Sequence, residues 1–253
     1  MSPRVPERPP LVHVRGRLDA VAVVLDLPAE PLAALLPEGL EILPQSVLPD
    51  ARHPLVLLLG EQSAVGPNLL PLGMRYRELV LALPFVGQRD GPPGPFCYLP
   101  VLLLDRRLPT LLGRWLYGFA KRRVAWTGFE DGCALARLED GASLLSARYE
   151  ATGPRERAGE LADFARVRCL FEQPLISRAR RGRFRHARFD FALDRAAVQP
   201  MTAEVVFHQS IRPGMPLGPG PIRAPGPGGP AAFRIETAWT LTRAAPAAEH
   251  RPD

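Results

Sequence analysis

Lysine is almost missing from this chain. Of its 32 basic residues, 31 are arginine and one, Lys121, is lysine. Cysteine is scarce too: Cys97, Cys133 and Cys169 are widely spaced, odd in number and form no CxxC pair. That excludes a disulfide framework and points to reduced thiols in a cytoplasmic protein. The five histidines, His13, His53, His186, His208 and His250, lack ligand spacing, so no metal site is expected. Apolar runs such as PLVLLL at 54–59 fall far short of the roughly 20 residues that cross a membrane as a helix. The opening MSPRVPERPP is charged and proline-rich, unlike a secretory signal.

What is present describes a β-rich chain. With 253 residues, 46% hydrophobic and 23% charged, it can bury a full core without metal or disulfide. Its 22 Gly and 30 Pro argue against long helices and for short strands joined by turns. Strands are expected at 13–25, 54–62, 76–86, 96–104, 124–129, 133–139, 143–152, 166–173, 184–193, 203–211 and 232–242. LVLALPFV and YLPVLLLD are apolar on both faces, as in a covered sheet or a barrel wall. Short helices are expected within 30–40, 108–118 and 155–166. Residues 213–230 hold thirteen Gly or Pro and read as a long loop or lid. One domain over 11–243, with frayed ends at 1–10 and 244–253, is the simplest organisation.

The net charge of +6 is spread over mixed Arg and Asp/Glu, except in RARRGRFRHAR at 178–188, with six Arg and one His. An anion or RNA stripe would have this charge. The segment runs directly into a strand-like stretch without an aromatic RNA-binding signature, so it reads as a solvated turn and strand edge. Nucleic acid and membrane are not expected as partners.

The single lysine carries the chemical signal. A guanidinium stays protonated near neutrality and cannot act as a nucleophile or form a Schiff base, whereas a deprotonated lysine amine can. Lys121 follows Tyr117, Gly118, Phe119 and Ala120 and precedes Arg122 and Arg123. Apolar surroundings and a cationic neighbour both push an amine's pKa down. From ~10.4, only about 1 amine in 2,500 is neutral at pH 7, and reaching ~6 takes roughly 6 kcal/mol. A screened arginine supplies about 1 kcal/mol, so a buried pocket must do most of the work.

With PEGLEI at 37–42, YRELVLALPF at 76–85, and LD, GR and Lys121 placed within 98–124, the sequence resembles the acetoacetate decarboxylase family. That family is itself the standard example of a lysine activated by burial or a cationic neighbour. The resemblance implies an α+β, β-rich single domain with few short helices and a closed β-barrel, assembled as a homo-oligomer. It implies that Lys121 is the Schiff-base lysine, that Arg122 stands where a second lysine lowers its pKa, and that Glu78 is the active-site glutamate. It further implies that Arg17 receives the substrate carboxylate and that Leu103 and Phe119 line an apolar pocket; the family's second acidic residue has no fixed match, Glu61 being one candidate. Trp115 and Ala120 depart from the family's Glu and Pro. The implied activity is a cofactor-independent lyase acting on a small β-keto or pyruvate-like acid. The alternatives are an aldolase-dehydratase using the same lysine and a non-catalytic binding protein on the same fold.

Overall fold

A computed structural model describes residues 14–67, 73–127, 132–138, 140–178, 183–211, 217, 220–224, 231–242 and 245–246. Its strands are β1 (Val14–Pro28), β2 (Leu40–Ile42), β3 (Arg52–Pro67), β4 (Met74–Gln88), β5 (Phe96–Leu104) and β6 (Lys121–Arg123). These are followed by β7 (Ala125–Thr127), β8 (Cys133–Arg137), β9 (Ser143–Ala151), β10 (Glu156–Arg157), β11 (Leu175–Arg178) and β12 (Phe184–Ala187). The last are β13 (Phe189–Phe191), β14 (Ala197–Phe207), β15 (Gly220–Ala224), β16 (Ala232–Leu241) and β17 (Ala245–Pro246). Three short helices interrupt them: α1 (Ala29–Ala33), α2 (Arg107–Leu112), which runs into a π turn (Gly113–Tyr117), and α3 (Ala162–Val167).

The long strands β1, β3, β4 and β5 pair antiparallel in sequence order, and β16 covers the other edge of β1. They are apolar on both faces because each face meets its own core. Val21, Val23, Leu55, Leu57, Leu79, Leu81 and Leu103 point to one core, which β8, β9 and β14 close with Ala136, Leu145, Val205 and Phe207. The alternate residues Ala20, Ala22, Val56, Val80, Ala82, Leu102 and Leu104 point to a second core. There they meet Phe164, Leu170 and Phe171 from the helical segment, and Phe233, Ile235 and Trp239 from β16. Burying a leucine completely contributes about 1.5–3 kcal/mol; Leu79, Leu81 and Leu83 are each fully inaccessible.

The strands form one branched, 17-stranded sheet, in place of the simple closed barrel expected. The branching arises because a long strand serves several partners along its length: β14 pairs with β9, β10, β15 and β16. The strand expected at 166–173 is instead the end of α3 followed by a 3-10 turn over Arg168–Leu170. Phe164, Val167, Leu170 and Phe171 are buried there at spacings of three and four, which makes a helical face. The loop expected over 213–230 contains β15, which pairs with β14 and with no second strand among the described residues; Gly and Pro are tolerated at such an edge. The rest of that loop lies mostly outside the described residues, as do the expected N-terminal tail and the tip of the arginine-rich hairpin between β11 and β12. Within the expected C-terminal tail, β17 pairs with β12.

Candidate active site

Lys121 opens β6, which adds in parallel to β5 with Leu102 opposite Lys121. Its side chain therefore shares the face of Leu102 and enters the second core. The approach is fixed by the preceding turn. Gly118 takes a left-handed φ of 71° and donates its N–H to the Arg114 carbonyl, while Phe119 N–H donates to the Gly113 carbonyl. Arg114 Nε donates to the Lys121 carbonyl at 2.6 Å, and Ser177 Oγ donates to the Tyr117 carbonyl at 2.6 Å. The amine's tether lies across Gly113: a Cβ there would come within 2.5 Å of Lys121 Cδ and Cε and 2.9 Å of Nζ. A side chain at 113 and this lysine rotamer cannot coexist.

Lys121 and Glu78 are each only 8% exposed. Glu78 sits on β4, opposite Gly60 on β3 and Leu104 on β5. Gln62 Nε2 donates to Glu78 Oε1 at 2.5 Å, and Trp239 Nε1 donates to Gln62 Oε1 at 2.6 Å. Indole N–H is a donor only, so it fixes the Gln62 amide with its NH2 toward Glu78. The indole in turn needs Gly16, where a Cβ would come within 2.6 Å of the Trp239 ring. The face of Tyr76 lies 5.9 Å from Lys121 Nζ, close enough to favour a cation there.

Burial dominates the electrostatics. Desolvation lowers the Lys121 pKa, and the Glu78 charge partly offsets this. Desolvation raises the Glu78 pKa, against the opposing effects of Lys121 and the Gln62 hydrogen bond. The Tyr76 hydroxyl is pushed well above its ordinary value by burial and then by the Glu78 and Asp105 charges, so it stays protonated. The result is an amine driven toward its neutral form beside a carboxyl driven toward its neutral form, the condition for a nucleophile with a proton carrier at hand.

These groups open into a cavity of about 280 Å³. Phe119 lines it and stacks on Tyr117 at 5.5 Å between ring centroids. The cavity also includes Gln173, whose Oε1 accepts the Phe85 N–H at 2.7 Å; its Nε2 has no partner among the described residues.

Four expected site residues lie elsewhere. Arg122 follows Lys121 in a strand and points to the opposite face; it is exposed, 3.5 Å from the Ile211 carbonyl, and shares a surface hollow with Arg114, Arg123 and Asp140. Burial takes the role assigned to its charge. Leu103 is buried in the other core, and Leu102 lines the cavity in its place. Arg17 is exposed and borders a separate surface hollow. Glu61 pairs with Arg75 at 2.6 Å. Trp115 is 77% exposed on the π turn. Gln62, Trp239, Gly113 and Arg114 also build the site, and of these the sequence signals only the GR pair at 113–114, as a motif.

The arrangement of strands that carries this site is found in known structures. No protein-family model and no curated protein matches the sequence. Solved structures do. The enduracididine biosynthesis enzyme MppR, complexed with the condensation product of pyruvate and imidazole 4-carboxaldehyde, has TM-score 0.64 at 13% identity over 96% of this chain and 92% of that one. Acetoacetate decarboxylase from Legionella pneumophila has TM-score 0.61 at 14% identity over 98% and 92%. An acetoacetate decarboxylase-like enzyme from Sphingomonas wittichii has TM-score 0.61 at 13% identity over 92% of each chain. The chain has the acetoacetate decarboxylase-like fold.

Proposed function

We propose that this chain is a Schiff-base-forming carbon–carbon lyase that decarboxylates a keto acid through Lys121. The observation that supports it best is the position of the chain's single lysine amine: buried, depressed in pKa by desolvation, and coupled to a buried glutamate at an apolar cavity. The neutral Nζ attacks the ketone carbon, and loss of water gives an iminium. The bond to the carboxylate breaks, its electron pair moves into the iminium, and CO2 leaves an enamine. Protonation at carbon and addition of water then release the ketone and the free amine. Glu78 carries protons between these steps, and the Tyr76 ring favours the cationic iminium.

A non-catalytic binding protein on this fold predicts a lysine of ordinary pKa or one paired at the surface, and the burial of Lys121 supports the enzyme reading over it. Aldol-type condensation through the same enamine is the second reading. It draws on the similar fold of MppR, whose structure holds a condensation product of pyruvate.

The test is intact mass after incubation with β-keto and pyruvate-like acids plus borohydride, on wild type and Lys121→Arg. With one lysine in the chain, a trapped adduct that disappears in the variant establishes the Schiff base, and its mass reports whether CO2 left. An adduct that persists in Lys121→Arg, or none across the panel, rejects the proposal.

A further inference from the structure

The cavity is far larger and more apolar than a four-carbon acid requires. Its volume of about 280 Å³ compares with roughly 150 Å³ for an apolar cavity that takes up benzene. By that ratio it has room for about eleven carbon-sized groups. Its walls are built from both sides: Val80, Ala82 and Leu102 come from the sheet, Leu116 from the π turn, and Phe171 and Leu175 from the helical segment and β11. Lys121 is the only cation and Glu78 the only carboxylate among the described residues lining it. Arg17, the expected carboxylate receptor, is exposed and borders a different hollow.

This composition selects by exclusion. A second carboxylate or a phosphate on the substrate would be buried with no second cation among the described lining residues and only the Gln173 Nε2 donor to meet it, which is unfavourable. A single carboxylate next to the reacting carbonyl is different, because it lies beside the iminium and departs as neutral CO2. The remainder of the molecule must then be apolar and long enough to displace the space around it.

Resting on the Schiff-base reading above, we infer that the substrate is a 3-oxo monocarboxylic acid with an apolar tail, about ten to twelve carbons in all by the benzene comparison. The reaction balances as R–CO–CH2–COO⁻ plus H⁺ giving R–CO–CH3 plus CO2, so the product is a methyl ketone. The class of reaction that supplies such a substrate is hydrolysis of a 3-oxoacyl thioester.

The experiment compares borohydride trapping and CO2 release for freshly prepared 3-oxo acids of four, six, eight, ten and twelve carbons, together with pyruvate. Beside it, calorimetry measures binding of 2-undecanone to wild type, Lys121→Met and Ala82→Phe, the last filling the cavity wall away from the amine. Each methylene transferred from water should improve kcat/KM roughly fourfold, giving about four thousandfold from four to ten carbons. Ala82→Phe should abolish that gain with chain length. Trapping that is flat with length, or best with pyruvate or the four-carbon acid, overturns the inference and leaves the Schiff-base reading standing. Saturable 2-undecanone binding that Ala82→Phe blocks, with no adduct from any acid, supports the apolar class and removes the Schiff-base reading. Absence of both adduct and ketone binding overturns the inference.

Discussion

Replacing Gly113 by alanine separates the geometry of the amine from the stability of the fold. The added Cβ would sit 2.5 Å from Lys121 Cδ and Cε, whereas ordinary contact begins at 3.4 Å. The lysine tether must therefore move by about 0.9 Å, the difference between these two distances. The atoms that yield are the far end of a flexible side chain, so the backbone need not shift. Gly113 has φ −65° and ψ −37°, which alanine adopts freely, and in a helix interior alanine is favoured over glycine by up to about 1 kcal/mol. The fold should thus be unharmed, with a melting temperature equal to wild type or a few degrees higher. Reactivity should fall, since a misplacement of about 1 Å costs on the order of a hundredfold, or about 2.7 kcal/mol of barrier. The assay is the initial rate of borohydride-trapped adduct at Lys121, read by intact mass beside a thermal melt. Trapping at the wild-type rate in a folded Gly113→Ala protein would refute the claim that this glycine positions the amine.

Other consequences follow from the buried charges. Glu78→Gln removes the charge that holds the Lys121 pKa up, so the acid limb of adduct formation should move to lower pH while turnover falls by roughly 10²–10⁴; an unmoved acid limb contradicts the coupling. The folded protein holds the Lys121 pKa below 10.5, so the unfolded chain binds that proton more tightly. The resulting penalty is full below the folded value and fades as pH rises toward 10.5. The stability of wild type relative to Lys121→Met, from urea midpoints, should therefore climb as pH rises toward 10.5, and a flat difference would count against it. Burial pushes the Cys97 thiol up to about 12, while Cys133 and Cys169 are exposed. A thiol reagent at pH 8 should thus label two sites in the native protein and a third only on unfolding.

The sequence made much of this visible, with one systematic error. The strand at 96–104 was legible to the residue, because an apolar run between turn signals has few other outcomes. Strand β3 runs on to Pro67, beyond the expected 62, through Ala64 with φ 51°; no composition signal marks such a bulge. Lys121 stood out by rarity, and Glu78 came from the resemblance. Three of the residues that lie outside the cavity share one cause. Leu103, Arg17 and Glu61 each sit one position from a cavity-lining residue, namely Leu102, Leu18 and Gln62. In a strand, one position reverses the face, and a distant resemblance fixes position only to within such a step. Gln62 and Trp239 were beyond reach for another reason. They meet across 177 positions, and a glutamine and a tryptophan carry no motif.

That last pair gives the protein an optical reporter of its own. The Trp239 indole is buried and tied through one amide to the Glu78 carboxylate, whereas Trp115 is exposed on the surface. In a Trp126→Phe background, with a soluble quencher silencing Trp115, emission from Trp239 should shift when the carboxylate gains or loses its proton. Occupancy of the cavity and ionisation of its acid can then be followed without a label, in the same cuvette and on the timescale of mixing.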